Sequence, residues 1–277
     1  MAIGDANRIG TNISALNALN ALMDVNKSLQ ISQLRLSTGK RINEAADDPS
    51  GYSISVSFDK RARGLAVALD GVGTASNAMS IAEGAMNNLT QILLNMKDLV
   101  VQAASDILGS TERTAITSQL DALRAEVNRI ATQTTFNGTA LLDGTFTNRR
   151  FQTGDTETDY ISFSISCNFN STSIGLANVS VGDSAAACNS FASVNAAITM
   201  VSSQVQAIGS AVQRMRLVEN NLTVAIVNTK AAKSRILDAD VAKEQVESTR
   251  LQILRNLSTA QLAQANVAPQ AVLSLFQ

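Results

Sequence analysis

The sequence predicts a mainly α-helical protein, a long coiled-coil-like helical hairpin bundle with a small β-hairpin region. Two observations predict it. Apolar residues recur every seven positions over long stretches, which is typical of helices that pack along one another. Only two prolines occur, Pro49 and Pro269, and a proline inside a helix costs about 3 kcal/mol. The chain between them is therefore free to form very long helices.

The first long helix is predicted after Pro49, where two apolar rows run together. One row advances by seven residues, and the other by alternating steps of three and four, so the helix should contact more than one neighbour. Four glycines (Gly64, Gly71, Gly73 and Gly84) interrupt it, each weakening a helix by about 1 kcal/mol relative to alanine. They can also let a neighbouring backbone approach closely. The seven-residue row is Phe58, Leu65, Val72, Met79, Met86, Leu93 and Val100.

Two further helices carry the same rhythm. One follows Gly109, with Ser110 expected as its N-cap and Glu112 in its first turn. It should end before the turn residues Asn137 and Gly138. The apolar stripes of these two helices span residues 116–130 and 194–226. Three heptad helices predict a bundle.

Between the second and third helices, at about residues 133–190, the composition changes. Glycine, serine and threonine are frequent, and the alternating run from Tyr160 to Ile165 predicts a strand of a β-hairpin. Residues 170–190 show little periodicity. We expect them to form a surface loop.

Both ends of the chain lack charge, since residues 9–23 and 256–277 contain no Asp, Glu, Lys or Arg. Apolar side chains there are interleaved with amides, whereas a membrane span needs about 20 mostly apolar residues in a row. The ends should therefore be buried against each other and against copies of the same chain, which predicts a polymer subunit without membrane insertion. The residues expected to carry this contact are Ile13, Leu16, Leu19, Leu254, Leu257, Leu262, Val272 and Leu275.

Composition argues against several functions. Lys plus Arg is 22 and Asp plus Glu is 23, so no strong positive field indicates a nucleic-acid partner. The chain has no histidine, which excludes HExxH metal sites, Ser-His-Asp triads and Cys-His pairs. We expect no enzyme activity, no metal and no cofactor. The pairs Asp47-Asp48 and Asp238/Asp240 are interpreted as turn and capping residues or inter-subunit ion pairs.

Two cysteines, Cys167 and Cys188, fall in the irregular region. A disulfide between them would stabilise the enclosed loop by about 3 kcal/mol. The alternative is a pair of free, partly buried thiols, and the sequence leaves both open.

Several blocks in the same order resemble the bacterial flagellins across nearly the whole chain. The amino-terminal half contributes RLSTGKRIN (35–43), AADDPSG (45–51), AEGA (82–85), LVVQAA (99–104), FNG (136–138) and LLDG (141–144). The carboxyl-terminal half contributes SRILDAD (234–240), LAQAN (262–266) and PQAVLSL (269–275).

The resemblance implies an architecture. Terminal helices at about 4–34 and 240–275 would pair as an inner coiled coil lining a narrow channel, and a spoke at about 35–55 would carry Arg41, Asn43, Asp47 and Asp48. Residues 1–55 and 236–277 would thus form the inner core with its spoke. Residues 56–235 would form the outer-core bundle.

The resemblance also implies a function: a structural subunit that polymerises into the helical flagellar filament for swimming motility. The alternative is a flagellin-like protein at the junction of hook and filament. A third class, a secreted coiled-coil effector or adhesin, would act as a soluble monomer.

The implied partners are copies of itself, the flagellar export apparatus, an export chaperone that binds the C-terminal region, and the filament cap and hook-junction proteins. The implied location is the extracellular filament, and the first residues show no Sec-type signal. An innate immune receptor recognises many members of this family. Here Asn95 stands where arginine is usual, so we expect weaker recognition.

Overall fold

The computed structural model describes residues 11–273, with side chains through residue 267. The fold is mainly α-helical, as predicted, with five long helices and two antiparallel strand pairs among these residues. The helices are α1 (Ile13–Thr38), α2 (Pro49–Ala103), α3 (Ser110–Gln133), α4 (Ser184–Leu237) and α5 (Val241–Leu273). The strands are β1 (Thr135–Phe136), β2 (Thr139–Ala140), β3 (Phe146–Gln152) and β4 (Tyr160–Ile165).

The chain divides into two compact units. Unit 1 combines the chain up to Lys60 with the chain from Asn228 onward, and unit 2 is Arg61–Val227. Both boundaries fall within continuous helices, α2 and α4. The assignment of residues 1–55 and 236–277 to an inner core, and of residues 56–235 to an outer core, stays a prediction.

In unit 1, helices α1 and α5 pack along each other in antiparallel orientation, which confirms the predicted pairing of the terminal helices. Two hydrogen bonds near opposite ends of the pair show the orientation. Asn12 Nδ2 donates to the carbonyl of Ala265 at 2.7 Å, and the Ser32 hydroxyl donates to the carbonyl of Glu244 at 3.4 Å. The described seam buries few residues: Leu29, Ser32, Ser248 and Leu251.

The connection between α1 and α2 is shorter than the predicted spoke. Helix α1 continues to Thr38 because Gly39, at φ 68°, takes the left-handed conformation that ends a helix and donates its N–H to Arg35. Helix α2 begins at Pro49, since a proline in the first position loses no helical hydrogen bond. Only residues 39–48 are therefore non-helical, instead of about 35–55.

The core of unit 2 is built from the predicted stripes of α2, α3 and α4. Six members of the seven-residue row of α2, from Leu65 to Val100, are buried. The start of α3 differs from the prediction, because Gly109 is its N-cap and provides no side-chain bond. Ser110 already belongs to the first turn. The buried members from α3 and α4 are Ile116, Leu120, Val127, Val194, Val201, Ile208, Val212, Met215, Leu222 and Ile226.

The two β-hairpins follow the predicted turns. Asn137 and Gly138 connect β1 to β2 with φ of 48° and 77°, values that asparagine and glycine tolerate best. Strand β4 matches the predicted run and pairs with β3. The predicted close backbone approach occurs at Gly64, where an added Cβ would lie 2.9 Å from the Cβ of Asp155 in the β3–β4 turn. At Gly71, Gly73 and Gly84, an added Cβ would meet nothing within 4 Å.

The prediction of a surface loop at residues 170–190 is wrong. Helix α4 begins at Ser184, where the Asp183 carboxylate accepts from the N–H of Ala186 at 2.6 Å. The preceding segment, residues 166–183, belongs to the core of unit 2. Its buried side chains are Phe169, Ile174, Leu176, Val179 and Val181.

Candidate polymerisation surface and connecting segment

Helix α1 carries an exposed apolar row, although it is already paired with α5. Leu16 and Leu19 are 50% and 39% exposed, and Ile13 is half-buried. Met23, Ile31 and Leu34 extend the row along the helix. These three residues were not predicted, although their spacing would have identified them. Met23 lies four residues after Leu19, Ile31 eight residues after Met23, and Leu34 three residues after Ile31.

Helix α5 carries a similar row. Leu257 is 55% exposed, and Leu254 and Leu262 are half-buried. Val246 and Ile253 were not predicted, yet Val246 is 70% exposed. Val272 lies within α5 beyond the described side chains, and Leu275 lies outside the described residues.

These rows leave large apolar side chains in contact with water on both helices of a pair. Monomeric soluble proteins rarely expose contiguous apolar patches of this kind, and such patches mark surfaces that bind other molecules. Within residues 11–273 no helix is long and apolar enough to cross a membrane.

The segment that connects α1 to α2 (residues 39–48) brings the four predicted spoke residues together. The Arg41 guanidinium donates to the carbonyl of Ile236 at 2.8 Å and lies 3.9 Å from the Asp48 carboxylate. The backbone N–H of Arg41 donates to the carbonyl of Leu237 at 2.7 Å. Asn43 donates its side-chain amide to the carbonyl of Lys40. Arg41 thus ties the segment after α1 to the end of α4.

The two adjacent carboxylates have separate tasks. Asp47 accepts from the backbone N–H groups of Asn43 and Glu44 at 2.9 and 3.1 Å. These bonds favour the ionised form and lower the pKa of Asp47 below its ordinary value. Asp48 accepts from the N–H of Gly51 at 2.9 Å and so caps α2.

The turn from α4 to α5 is held in the same way. Asp240 accepts from the N–H groups of Ala242 and Lys243 at 3.0 and 3.2 Å and caps α5. Ala239 donates its N–H to the carbonyl of Gly39 at 2.9 Å. Asp238 pairs through its backbone with Lys40. The two connections of unit 1 are thereby hydrogen-bonded to each other.

The two cysteines are free and both are exposed in the structure. They are neither bridged nor partly buried there. Cys167 follows β4, and Cys188 lies in the second turn of α4. Residues 11–273 also contain no group of three or more His, Cys, Asp or Glu side chains arranged to hold a metal ion.

Paired terminal helices with exposed apolar rows, joined to a three-helix bundle, define a self-associating helical structural protein. Comparison with known sequences gives the family. The model of the bacterial flagellin N-terminal helical region matches residues 9–147, and that of the C-terminal helical region matches residues 191–276. The chain therefore belongs to the bacterial flagellin family.

Individual relatives match along almost their full length. The flagellin of Bacillus subtilis (strain 168) is 35% identical over 306 residues, covering 98% of this chain and 100% of the relative. The flagellar filament 33 kDa core protein of Treponema phagedenis is 33% identical over 287 residues, covering 97% and 99%. The crystal structure of Bacillus cereus flagellin has 25% sequence identity and a TM-score of 0.49, covering 58% of this chain and 93% of that one.

Proposed function

We propose that the chain is a structural subunit of the bacterial flagellar filament, which serves swimming motility, and that it polymerises through the apolar rows of α1 and α5. The observation that carries the proposal is that pairing leaves both rows exposed, with Leu16, Leu257 and Val246 at least half accessible. A subunit packed among sister copies would remove these side chains from water. Burial of the exposed part of each stabilises by about 1–2 kcal/mol.

The missing charge at the two ends supports the same assignment. An ion without a partner is costly in a layer from which water is excluded. Residues 9–23 and 256–277 carry none, and their amides can still form hydrogen bonds between packed helices. The Arg41, Asn43, Asp47 and Asp48 cluster would act as the spoke that holds α1 and α4 in register.

The terminal pair should become ordered on assembly. Its described seam buries Leu29 and Leu251 with two serines, which is little apolar surface for two helices of this length. Isolated helices are marginal in water. In dilute monomer we expect the amides of α1 and α5 to exchange with solvent quickly, and in filaments slowly. Strong protection in dilute monomer would contradict ordering by assembly.

The relatives are flagellins and a filament core protein, which favours the filament subunit over the hook–filament junction protein. We further propose export through the flagellar apparatus to the extracellular filament. A chaperone would bind the C-terminal region before export, and the filament cap and hook-junction proteins would be neighbours of the polymer. The role is structural, with no catalytic activity.

Recognition by an innate immune receptor is proposed to be weak. Asn95 is exposed on α2, and its amide cannot form the charge-assisted bonds of the arginine usual in the family. Purified monomer should signal more weakly than an otherwise identical Asn95→Arg variant. Equal signalling from the two would overturn this proposal.

Removal of residues 240–277 tests the main proposal. The truncated chain lacks α5 but keeps all of unit 2, so its bundle should remain helical and unfold cooperatively on heating. It should form no filaments in seeded growth followed by sedimentation and electron microscopy. The full chain in the same buffer is the control. Normal polymerisation of the truncated chain would refute the assignment of the terminal helices.

A further inference from the structure

Unit 2 contains an open apolar groove that its own core does not fill. The groove has a volume of about 370 Å³ and lies between the amino-terminal half of α2 and the two hairpins. Small residues of α2, including Gly71, Ala75 and Ala78, line one side. Phe136, Phe146 and Phe151 line the other.

The rim of this groove is basic. Arg149 and Arg150 both belong to its lining and are exposed. Their guanidinium groups lie 5.7 Å from the ring centre of Phe146 and 3.6 Å from that of Tyr160, respectively. Aromatic rings combined with arginine are typical of the energetically important part of a protein–protein interface.

The same unit presents a complementary protrusion, the α2–α3 loop (residues 104–109). Ile107 in this loop is 95% exposed, more than any other large apolar side chain of the described chain. Asp98, Asp106 and Glu112 flank it and are exposed, and no Lys or Arg lies between positions 98 and 112. The loop is held by the buried Arg113, which donates to the carbonyl groups of Ala103 and Ser105.

A chain cannot place this loop in its own groove. The part of α2 that lines the groove ends at Ala78, whereas the α2–α3 loop begins after Ala103, where α2 ends. These 25 helical residues span about 38 Å at 1.5 Å per residue. Two different patches on one molecule that fit each other allow a head-to-tail contact, which generates an open chain of subunits where the rotation between neighbours does not close a ring.

Because the loop is apolar and acidic and the groove is apolar and basic, we infer that the α2–α3 loop of one subunit docks in the Phe136/Phe146/Phe151 groove of the next. Ile107 would enter between the rings, and Asp106 would face Arg149 and Arg150. The acidic turn of the β3–β4 hairpin is not the occupant, because residues 154–159 contain no apolar side chain. The inference rests on the proposed function, since it describes a contact within the polymer. It also requires copies to repeat about 40–50 Å along the direction of α2.

Cross-linking in filaments tests the contact directly. Cys167 and Cys188 are first replaced by serine, and the pair Ile107→Cys and Thr74→Cys is added, Thr74 being an exposed residue of the groove. Oxidation of filaments by air with a copper catalyst should give a ladder of dimers, trimers and higher oligomers. The control pair is Ile107→Cys and Ser80→Cys, because Ser80 is exposed on α2 but lies outside the groove. It should give no ladder.

The outcomes separate this inference from the proposed function. Filaments that form but give no ladder, or give dimers only, overturn the docking contact and leave the filament function standing. If the cysteine-free chain forms no filaments, both fail. An equal ladder from the Ser80 control would also overturn the contact.

Filling the groove provides an independent test with a matched control. Gly71 and Gly84 are both exposed in α2, and an added Cβ at either meets nothing within 4 Å. Only Gly71 lines the groove, so Gly71→Phe should raise the critical concentration for growth about tenfold, as expected for loss of one important interface residue. Gly84→Phe should leave it unchanged. Growth of Gly71→Phe like the parent chain would contradict the inference.

Charge reversal completes the set. Arg149→Glu should weaken polymerisation, and adding Asp106→Arg should restore it, because the opposite charges then face each other again. Adding Glu157→Arg, in the hairpin turn, should not restore it. Rescue by Glu157→Arg, or none by Asp106→Arg, would overturn the assignment of the loop.

Discussion

Asn12 donates its side-chain amide to the carbonyl of Ala265, 253 positions further along the chain, at 2.7 Å. The same amide group accepts from the N–H of Ala15 at 3.0 Å, so Asn12 caps α1 and fastens it to α5 at once. With the bond from Ser32 to Glu244 it defines the register of the pair. One short side chain thus connects the first turn of the chain's first described helix to its last helix.

Asn12 variants should separate these two tasks. Asn12→Ala loses both the cap and the cross-link, and a lost cap costs about 1 kcal/mol, so its filaments should dissociate at lower temperature. Asn12→Ser keeps an uncharged acceptor for Ala15 but is too short to reach the carbonyl of Ala265, and should lie between this variant and the parent. Turbidity during heating measures the order. Filaments of Asn12→Ala as stable as the parent's would contradict the role.

Arg113→Met should destabilise unit 2. The buried guanidinium of Arg113 donates to the carbonyls of Ala103, the last residue of α2, and Ser105, just beyond it. Removing it leaves these acceptors without their charged partner, at a cost of about 2–4 kcal/mol, which lowers the melting temperature of the monomer. Arg129→Met, also in α3, removes an exposed pair with Glu126 and should have little effect. Equal melting of the two variants would show that Arg113 is dispensable.

Alanine at two glycines of α2 should have opposite effects. At Gly84 the added methyl group meets open space, so Gly84→Ala should stabilise unit 2 by about 1 kcal/mol through helix propensity. At Gly64 it would lie 2.9 Å from the Cβ of Asp155, and displacing the hairpin turn costs about 1–3 kcal/mol. Thermal unfolding compares the two. Equal stabilisation by both substitutions would refute the close packing of the turn on Gly64.

Acid should remove the contribution of Asp47. Because the N–H groups of Asn43 and Glu44 lower its pKa in the folded state, its stabilisation is present above the unfolded value of about 3.9. It is lost as the pH falls through the lower folded value. Asp47→Asn should therefore melt below the parent chain at pH 7, and the difference should shrink as the pH falls below the unfolded value. A difference that is constant or grows in acid would contradict this assignment.

Cys167 and Cys188 should both react with a thiol reagent in the native protein, because both are free and exposed. Intact mass should be the same with and without a reductant. A gain of two hydrogens on reduction would show the bridge that the sequence left open. Each single Cys→Ser variant should lose one reactive thiol and keep the melting temperature of the parent.

The helices could be predicted because their signals are local and periodic. The heptad row from Leu65 to Val100 defined α2, and alternation defined β4. Gly39 and Pro49 could also have set the limits of the connection, since each has a fixed meaning at a helix end. Both signals are present in the sequence alone.

The segment before α4 could not be predicted in this way. Phe169, Ile174, Leu176, Val179 and Val181 are buried, but their spacing follows neither a helical nor a strand period. Only the surrounding bundle determines which of them face inward. In the candidate site, by contrast, the row on α1 follows from spacing. The Arg113 bonds and the cross-link from Asn12 to Ala265 depend on tertiary structure.

The pairing of α1 with α5 has a consequence for quality control. Translation delivers α1 early, whereas its partner is delivered only after about 200 further residues, so a prematurely terminated product never acquires the complementary helix. Such a fragment would hold only half of the surface required for incorporation. Because the two partners come from opposite ends of the chain, a molecule that stops before α5 should be left out of the polymer.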